Sequence, residues 1–151
     1  MNGPALEQFV RGTLGCACPD EVFRSVSVRL VPAAAGRLAF TEVLVGSRLL
    51  IRLVTMPAEP AAPGWLEQLA TDGRATRDRH GYNRFRLVIA APADDLAPER
   101  TGGLAARFAR ATACDDRTHL HMLAQAQLPE QFSGAPASDG SATAAAGTVA
   151  K

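Results

Sequence analysis

Residues 38–54 read Leu-Ala-Phe-Thr-Glu-Val-Leu-Val-Gly-Ser-Arg-Leu-Leu-Ile-Arg-Leu-Val. Two apolar runs rich in β-branched residues, 38–45 and 48–54, flank Gly46-Ser47. A glycine followed by serine suits a two-residue hairpin turn, because glycine takes the positive φ that such a turn needs. Just upstream, Ser25-Val-Ser-Val-Arg-Leu30 alternates strictly and reads as a half-buried strand. Together the three segments predict an antiparallel meander. The prolines at 57, 60 and 63 end it, since neither helix nor strand continues through them.

Beyond the prolines, Trp65, Leu66, Leu69 and Ala70 mark the inner face of a helix over 64–80, with Gly81 as its stop. Leu87 to Ala91 is a continuous apolar run, which suits a central strand covered on both faces. Asp94 or Asp95 is placed to cap a second helix with Pro98 and Glu99 in its first turn. Gly102-Gly103 weakens the interior of that helix, leaving 104–112 as its secure part, and a last strand follows over 117–123. Before the meander, Leu6, Phe9, Val10 and Leu14 form one apolar stripe, and Pro19-Asp20-Glu21 reads as the first turn of a very short helix. Phe9, Trp65 and Phe108 are expected in the core. The expected class is α+β, or mixed α/β: an N-terminal helix, a three-stranded antiparallel meander, then α-β-α-β, in a mixed sheet with packed helices. A single domain is expected over residues 1–132. Residues 133–151, dominated by Ala, Gly and Ser, offer too little apolar surface to offset their ordering and read as a disordered tail.

Composition narrows the function classes. Of 151 residues, 29 are alanine, and 15 of the 16 basic residues are arginine, so chance arginine clusters are to be expected. The net charge of +1 excludes a globally basic or globally acidic binder. No apolar run approaches the roughly 18 residues of a membrane span, and the N-terminus lacks the basic and apolar regions of a secretory signal. A cytoplasmic location without membrane association is the expectation.

Three cysteines (16, 18, 114) and three histidines (80, 119, 121) carry most of the chemistry in view. An odd cysteine count without a signal peptide argues against a disulfide framework. Cys16 and Cys18, like His119 and His121, are spaced to share one side of an extended segment. Two sulfurs and two nitrogens would suit zinc or another soft transition metal, with Cys114 as a substitute ligand. The same cysteine pair supports a thiol redox reading instead, if a turn brings its α-carbons within about 6.8 Å. The bland alternative makes the thiols small buried apolar groups and the histidines surface residues, and it carries the most weight.

Five arginines, His80 and two aromatic rings crowd 74–86, against the single acid Asp78. Arginine beside aromatic rings suits phosphate contact and base stacking, which nominates Arg77, Arg79, Arg84 and Arg86 as an anion or nucleic-acid site. Helix-dipole stabilisation of cations near a helix C-terminus explains part of the same cluster without any ligand. No phosphate-binding glycine loop and no nucleophile elbow is present. The element order over residues 4–91 resembles the core of the restriction-endonuclease-like nucleases. That resemblance implies a Mg²⁺-holding acid on the second strand, where Glu42 stands, and an acid-x-Lys on the third. Leu49-Leu-Ile-Arg-Leu53 carries neither. The leading expectation is therefore a small accessory or interaction domain rather than an enzyme, with an unknown protein partner and with a Cys/His metal site as an option it leaves open. A thiol redox protein and a nucleic-acid or phosphate-binding module are the alternatives.

Overall fold

A computed structural model describes residues 3–34, 38–56, 64–129 and 132; the proline-rich loop and the tail from Ser133 lie outside them. The chain is α+β. Helix α1 (Gly3–Gln8) runs into a π-helical turn, Phe9–Thr13, and a 3₁₀ turn spans Asp20–Arg24. Then come β1 (Val26–Val31), β2 (Phe40–Val45), β3 (Leu49–Thr55), α2 (Trp65–His80), β4 (Arg84–Ala91), α3 (Pro98–Ala111) and β5 (Thr118–Ala124). The sheet has order β1-β2-β3-β4-β5. The meander pairs antiparallel, whereas β3-β4 and β4-β5 are parallel, each joined by a helical crossover.

The alternation along each strand explains the two cores. Leu49, Ile51 and Leu53 of β3, with Val88 and Ala90 of β4, meet Leu6, Phe9, Val10 and Leu14 from the N-terminal segment. Leu50 and Val54, with Phe85, Leu87 and Ile89, meet Leu66 and Leu69 of α2 and Leu104 and Phe108 of α3. Each such side chain larger than alanine contributes about 1.5–3 kcal/mol when removed from water. Continuous burial of β3 and β4 follows from this double cover. Phe9 and Phe108 are buried, and Trp65 packs half-buried at the margin of the helical layer.

Three expectations are revised. β1 is an exposed edge rather than a half-buried strand, with Leu30 at 67% exposure, because both covering layers sit over the central strands. Helix α3 passes straight through Gly102-Gly103, starting from Pro98 in its first turn, with Asp94 and Asp95 in a preceding 3₁₀ turn. Burial of Thr101, Leu104 and Phe108 outweighs the cost of two exposed glycines, about 1 kcal/mol each. The hairpin pairs Val45 with Leu49 across three residues rather than two. Gly46 and Ser47 both take positive φ, 62° and 55°, and the Arg48 N–H donates to the Val45 carbonyl at 3.1 Å.

Helix α2 ends as expected. Gly81 has φ 72°, and the Tyr82 N–H donates back to the Arg77 carbonyl at 2.9 Å. Gly73, buried in the middle of α2, lies against the Phe85 ring, where an added Cβ would overlap the ring. Its absence of side chain sets how closely α2 rests on the sheet. Among the described residues no helix is long and apolar enough to cross a membrane.

Candidate functional site

The loop carrying the cysteine pair is pinned at both ends. Gly15, at φ 77°, turns the chain out of the N-terminal helix, and the Cys16 N–H donates to the Val10 carbonyl at 3.0 Å. On the far side, the 3₁₀ turn sits on the hairpin: the Gly46 N–H donates to the Ser25 carbonyl at 2.6 Å, and a Cβ at Gly46 would overlap Val22. The hairpin is tied in turn to β4, since the Arg48 carbonyl accepts from the N–H groups of Asn83 and Arg84 at 2.7 and 3.1 Å. These ties frame a half-open cavity of about 350 Å³ lined by Cys16, Cys18, Arg48, Arg84, Arg86 and His119, among others.

Cys16 and Cys18 are joined as a disulfide with α-carbons 5.3 Å apart, within the bridging range. Both are half-buried against the N-terminal core. A loop of three residues restricts the unfolded chain by only about 1.6 kcal/mol on the chain-entropy view, about half the effect of a 15-residue loop. Stabilisation is thus a weak reason for this bridge. Cys114 is free and exposed, and lies outside the lining of the cavity.

The arginines of the basic segment divide by role. Arg77, 2% exposed, gives its Nη2 to Asp115 at 2.7 Å and to Asp78 at 2.7 Å. Arg74 Nε reaches the same Asp115 oxygen at 3.0 Å. These donors, led by Arg77 and joined by the Arg117 backbone N–H, hold Asp115 well below the usual carboxylate range despite its burial. Arg77 is therefore a structural counter-ion. Arg79 lines a separate concavity with Glu42, Arg52 and Asp72. Only Arg84 and Arg86 of the four anticipated anion ligands reach the cavity, and Arg48 joins them from the hairpin.

Arg86 is the unusual member. It is 7% exposed, its Nη1 donates to the Leu14 carbonyl at 2.8 Å and faces His121 Nε2 at 2.9 Å, and among the described residues its Nε, like Arg77 Nη1, has no partner. Among the described residues no carboxylate lies within ion-pair distance of Arg48, Arg84 or Arg86. Burial, and then the neighbouring Arg84, lower the pKa of the Arg86 guanidinium from its ordinary value. A buried cation without a counter-charge is costly in a folded protein.

The histidines face these cations. His119 Nε2 lies 3.3 Å from Arg84 Nη1, and His121 Nε2 faces Arg86 as described. A guanidinium only donates, so each contact makes the imidazole nitrogen an acceptor and the ring neutral. Burial, followed by the Arg86 charge, pushes His121 down to about 4; the same causes, with Arg84, lower His119. Those lone pairs are the ones a metal would use. With the cysteines bonded to each other, Cys16, Cys18, His119 and His121 are not assembled as a ligand set. Among the described residues no group of three or more His, Cys, Asp or Glu side chains is arranged to hold a metal ion. Glu42, the acid singled out by the nuclease resemblance, is taken by Arg29 at 2.9 Å and by Arg52, its cross-strand neighbour, at 2.9 Å.

Arg48 escapes a reading of sequence because its relevance comes from the strand order: β4 must dock beside β3 before the hairpin tip adjoins Arg84. Comparison with known proteins finds no matching family, no similar curated protein and no similar solved structure.

Proposed function

We propose that this chain is a small binding protein whose cavity at the hairpin end of the sheet takes a compact anion, a phosphate or carboxylate group. The observation that carries the reading is Arg86: a buried guanidinium with an unpartnered Nε, no acid beside it, and two further arginines lining the same cavity. An anionic ligand supplies the missing counter-charge, and arginine's planar fork suits bidentate contact with either group. Among the described residues no carboxylate lines this cavity to compete with the anion. The split of the basic segment favours a compact ligand over a polynucleotide: Arg77 is buried on Asp115 and Arg79 lines the other concavity. A continuous cationic track, which a nucleic-acid backbone follows, is not formed by those four residues.

Titration calorimetry of the full chain with inorganic phosphate and with citrate, at low ionic strength, tests the reading. Saturable 1:1 binding is expected, abolished by Arg84→Ala with Arg86→Met and unchanged by Arg110→Ala on the exposed end of α3. Absence of saturable binding to both anions, or binding equally strong in the double variant, overturns it.

A further inference from the structure

We propose that the Cys16–Cys18 disulfide exchanges with a low-molecular-weight thiol that carries an anionic group, the cavity arginines seating that group beside the bridge. The inference rests on the anion-site reading and adds a chemical step to it. The disulfide and Arg48, Arg84 and Arg86 line one cavity, so a ligand anchored by its anion is held within the same small volume as both sulfurs. Holding the reactants together replaces an encounter in solution by an intramolecular step.

The electrostatics act on the same step. Attack by the ligand thiolate on one cysteine sulfur breaks the bridge and expels the other cysteine as a thiolate. Departure is faster when the leaving thiolate is stabilised, and a positive surrounding provides that. Asp20 and Glu21 follow the pair in the 3₁₀ turn but do not line the cavity, whereas the three arginines do. A second ligand thiolate then attacks the ligand sulfur of the mixed disulfide and releases the remaining cysteine as a thiolate. Two ligand thiols have become one ligand disulfide; the cysteine pair has gained two electrons, and the two protons released by the ligand thiols are taken up by the cysteines. The reverse sequence reoxidises the pair at the expense of the ligand disulfide.

The test uses the full oxidised chain and follows release of the Cys16 and Cys18 thiols by mass after acid quenching. Three thiols are compared: reduced glutathione, whose anions are carboxylates, coenzyme A, whose anions are phosphates, and cysteamine, which is cationic. With rates expressed per thiolate, at least one anionic thiol is expected to exceed cysteamine by tenfold or more, and whichever does so identifies the anionic group. Arg48→Ala, at an exposed position, is expected to reduce that preference, and Arg84→Ala with Arg86→Met to remove it. Equal rates for all three thiols, a preference untouched in both arginine variants, or failure of all three to open the bridge overturns the proposal. Phosphate binding measured on Cys16→Ser/Cys18→Ser protein separates the two readings. Binding retained there without any thiol preference in the native chain leaves the anion site standing and removes the exchange step.

Discussion

Arg86 and Arg77 are both buried guanidiniums, and replacing each by methionine tests whether the first truly lacks a counter-charge. Arg77→Met strands Asp115, 10% exposed at its side chain, and leaves it only the Arg74 contact and a backbone N–H. Removing one partner of such a pair costs about 3–5 kcal/mol. Arg86→Met strands no acid. It gives up a hydrogen bond to the Leu14 carbonyl, worth about 1–3 kcal/mol if that oxygen stays dry, and the contact with His121. Against this stands relief of a buried-ion penalty of several kcal/mol, with a flexible thioether filling the space. The expected balance runs from no change to about 2 kcal/mol of added stability. Urea denaturation followed by circular dichroism therefore separates the two variants by about 3 kcal/mol or more, or about 6–12 °C or more in Tm for a chain of this size. Phosphate at roughly a hundred times its Kd, matched for ionic strength with chloride, adds about 2.7 kcal/mol to the native protein and nothing to Arg86→Met. An Arg86→Met protein as destabilised as Arg77→Met, or one still stabilised by phosphate, refutes the reasoning.

Other outcomes follow from the same geometry. His121 binds its proton at about 4 in the folded chain against about 6.5 when unfolded, so the unfolded state takes up a proton first as pH falls. Stability is full above pH 6.5 and declines toward pH 4, by at most about 3 kcal/mol; a His121→Gln variant flattens that slope in denaturation measured across the window. Asp115, held low by Arg77, adds a separate loss that begins only as pH falls below its ordinary value near 3.8, and Asp115→Asn removes it. Gly73→Ala gains helix propensity of about 1 kcal/mol yet is expected to be net destabilising by about 1–3 kcal/mol, because its methyl meets the Phe85 ring; thermal melts decide the sign. Leu30→Lys on the exposed edge strand leaves Tm within about 2 °C and lowers light scattering on heating.

The architecture was legible wherever one local signal dominated. Gly46-Ser47 between two apolar runs, Gly81 after a helical stripe, and the unbroken Leu87–Ala91 run each led to the observed element. The exposure of β1 was not legible, because alternation in Val26–Leu30 reports a pleat and says nothing about which strands the helices reach to cover. Helix α3 was underread because propensity charges for Gly102 and Gly103 locally, whereas Leu104 and Phe108 repay it through contacts with β4 and α2 that are remote in sequence. In the candidate site, the residue types were legible and their grouping was not. Cys16, Cys18, His119, Arg84 and Arg86 were all singled out, but under three separate chemistries. Only the parallel docking of β4 between β3 and β5 places members of each set around one cavity. The same docking draws Arg77 away to Asp115, which no spacing within 74–86 announces.

The hydrogen bond from Arg86 to the Leu14 carbonyl ties the cavity to the first strut of the chain. That carbonyl belongs to the segment that roofs the N-terminal core, so the roof is latched to the sheet through the very cation a ligand would neutralise. Occupancy and latching are thereby coupled, and the coupling runs equally in both directions. An anion that draws the guanidinium outward loosens the latch; one that settles beside Nε tightens it. Amide exchange at Cys16, whose N–H leads back to Val10, reads out which of the two occurs. If the proposed anion binds, the cavity is also a joint, and its occupant would adjust how firmly the N-terminal segment closes over the sheet.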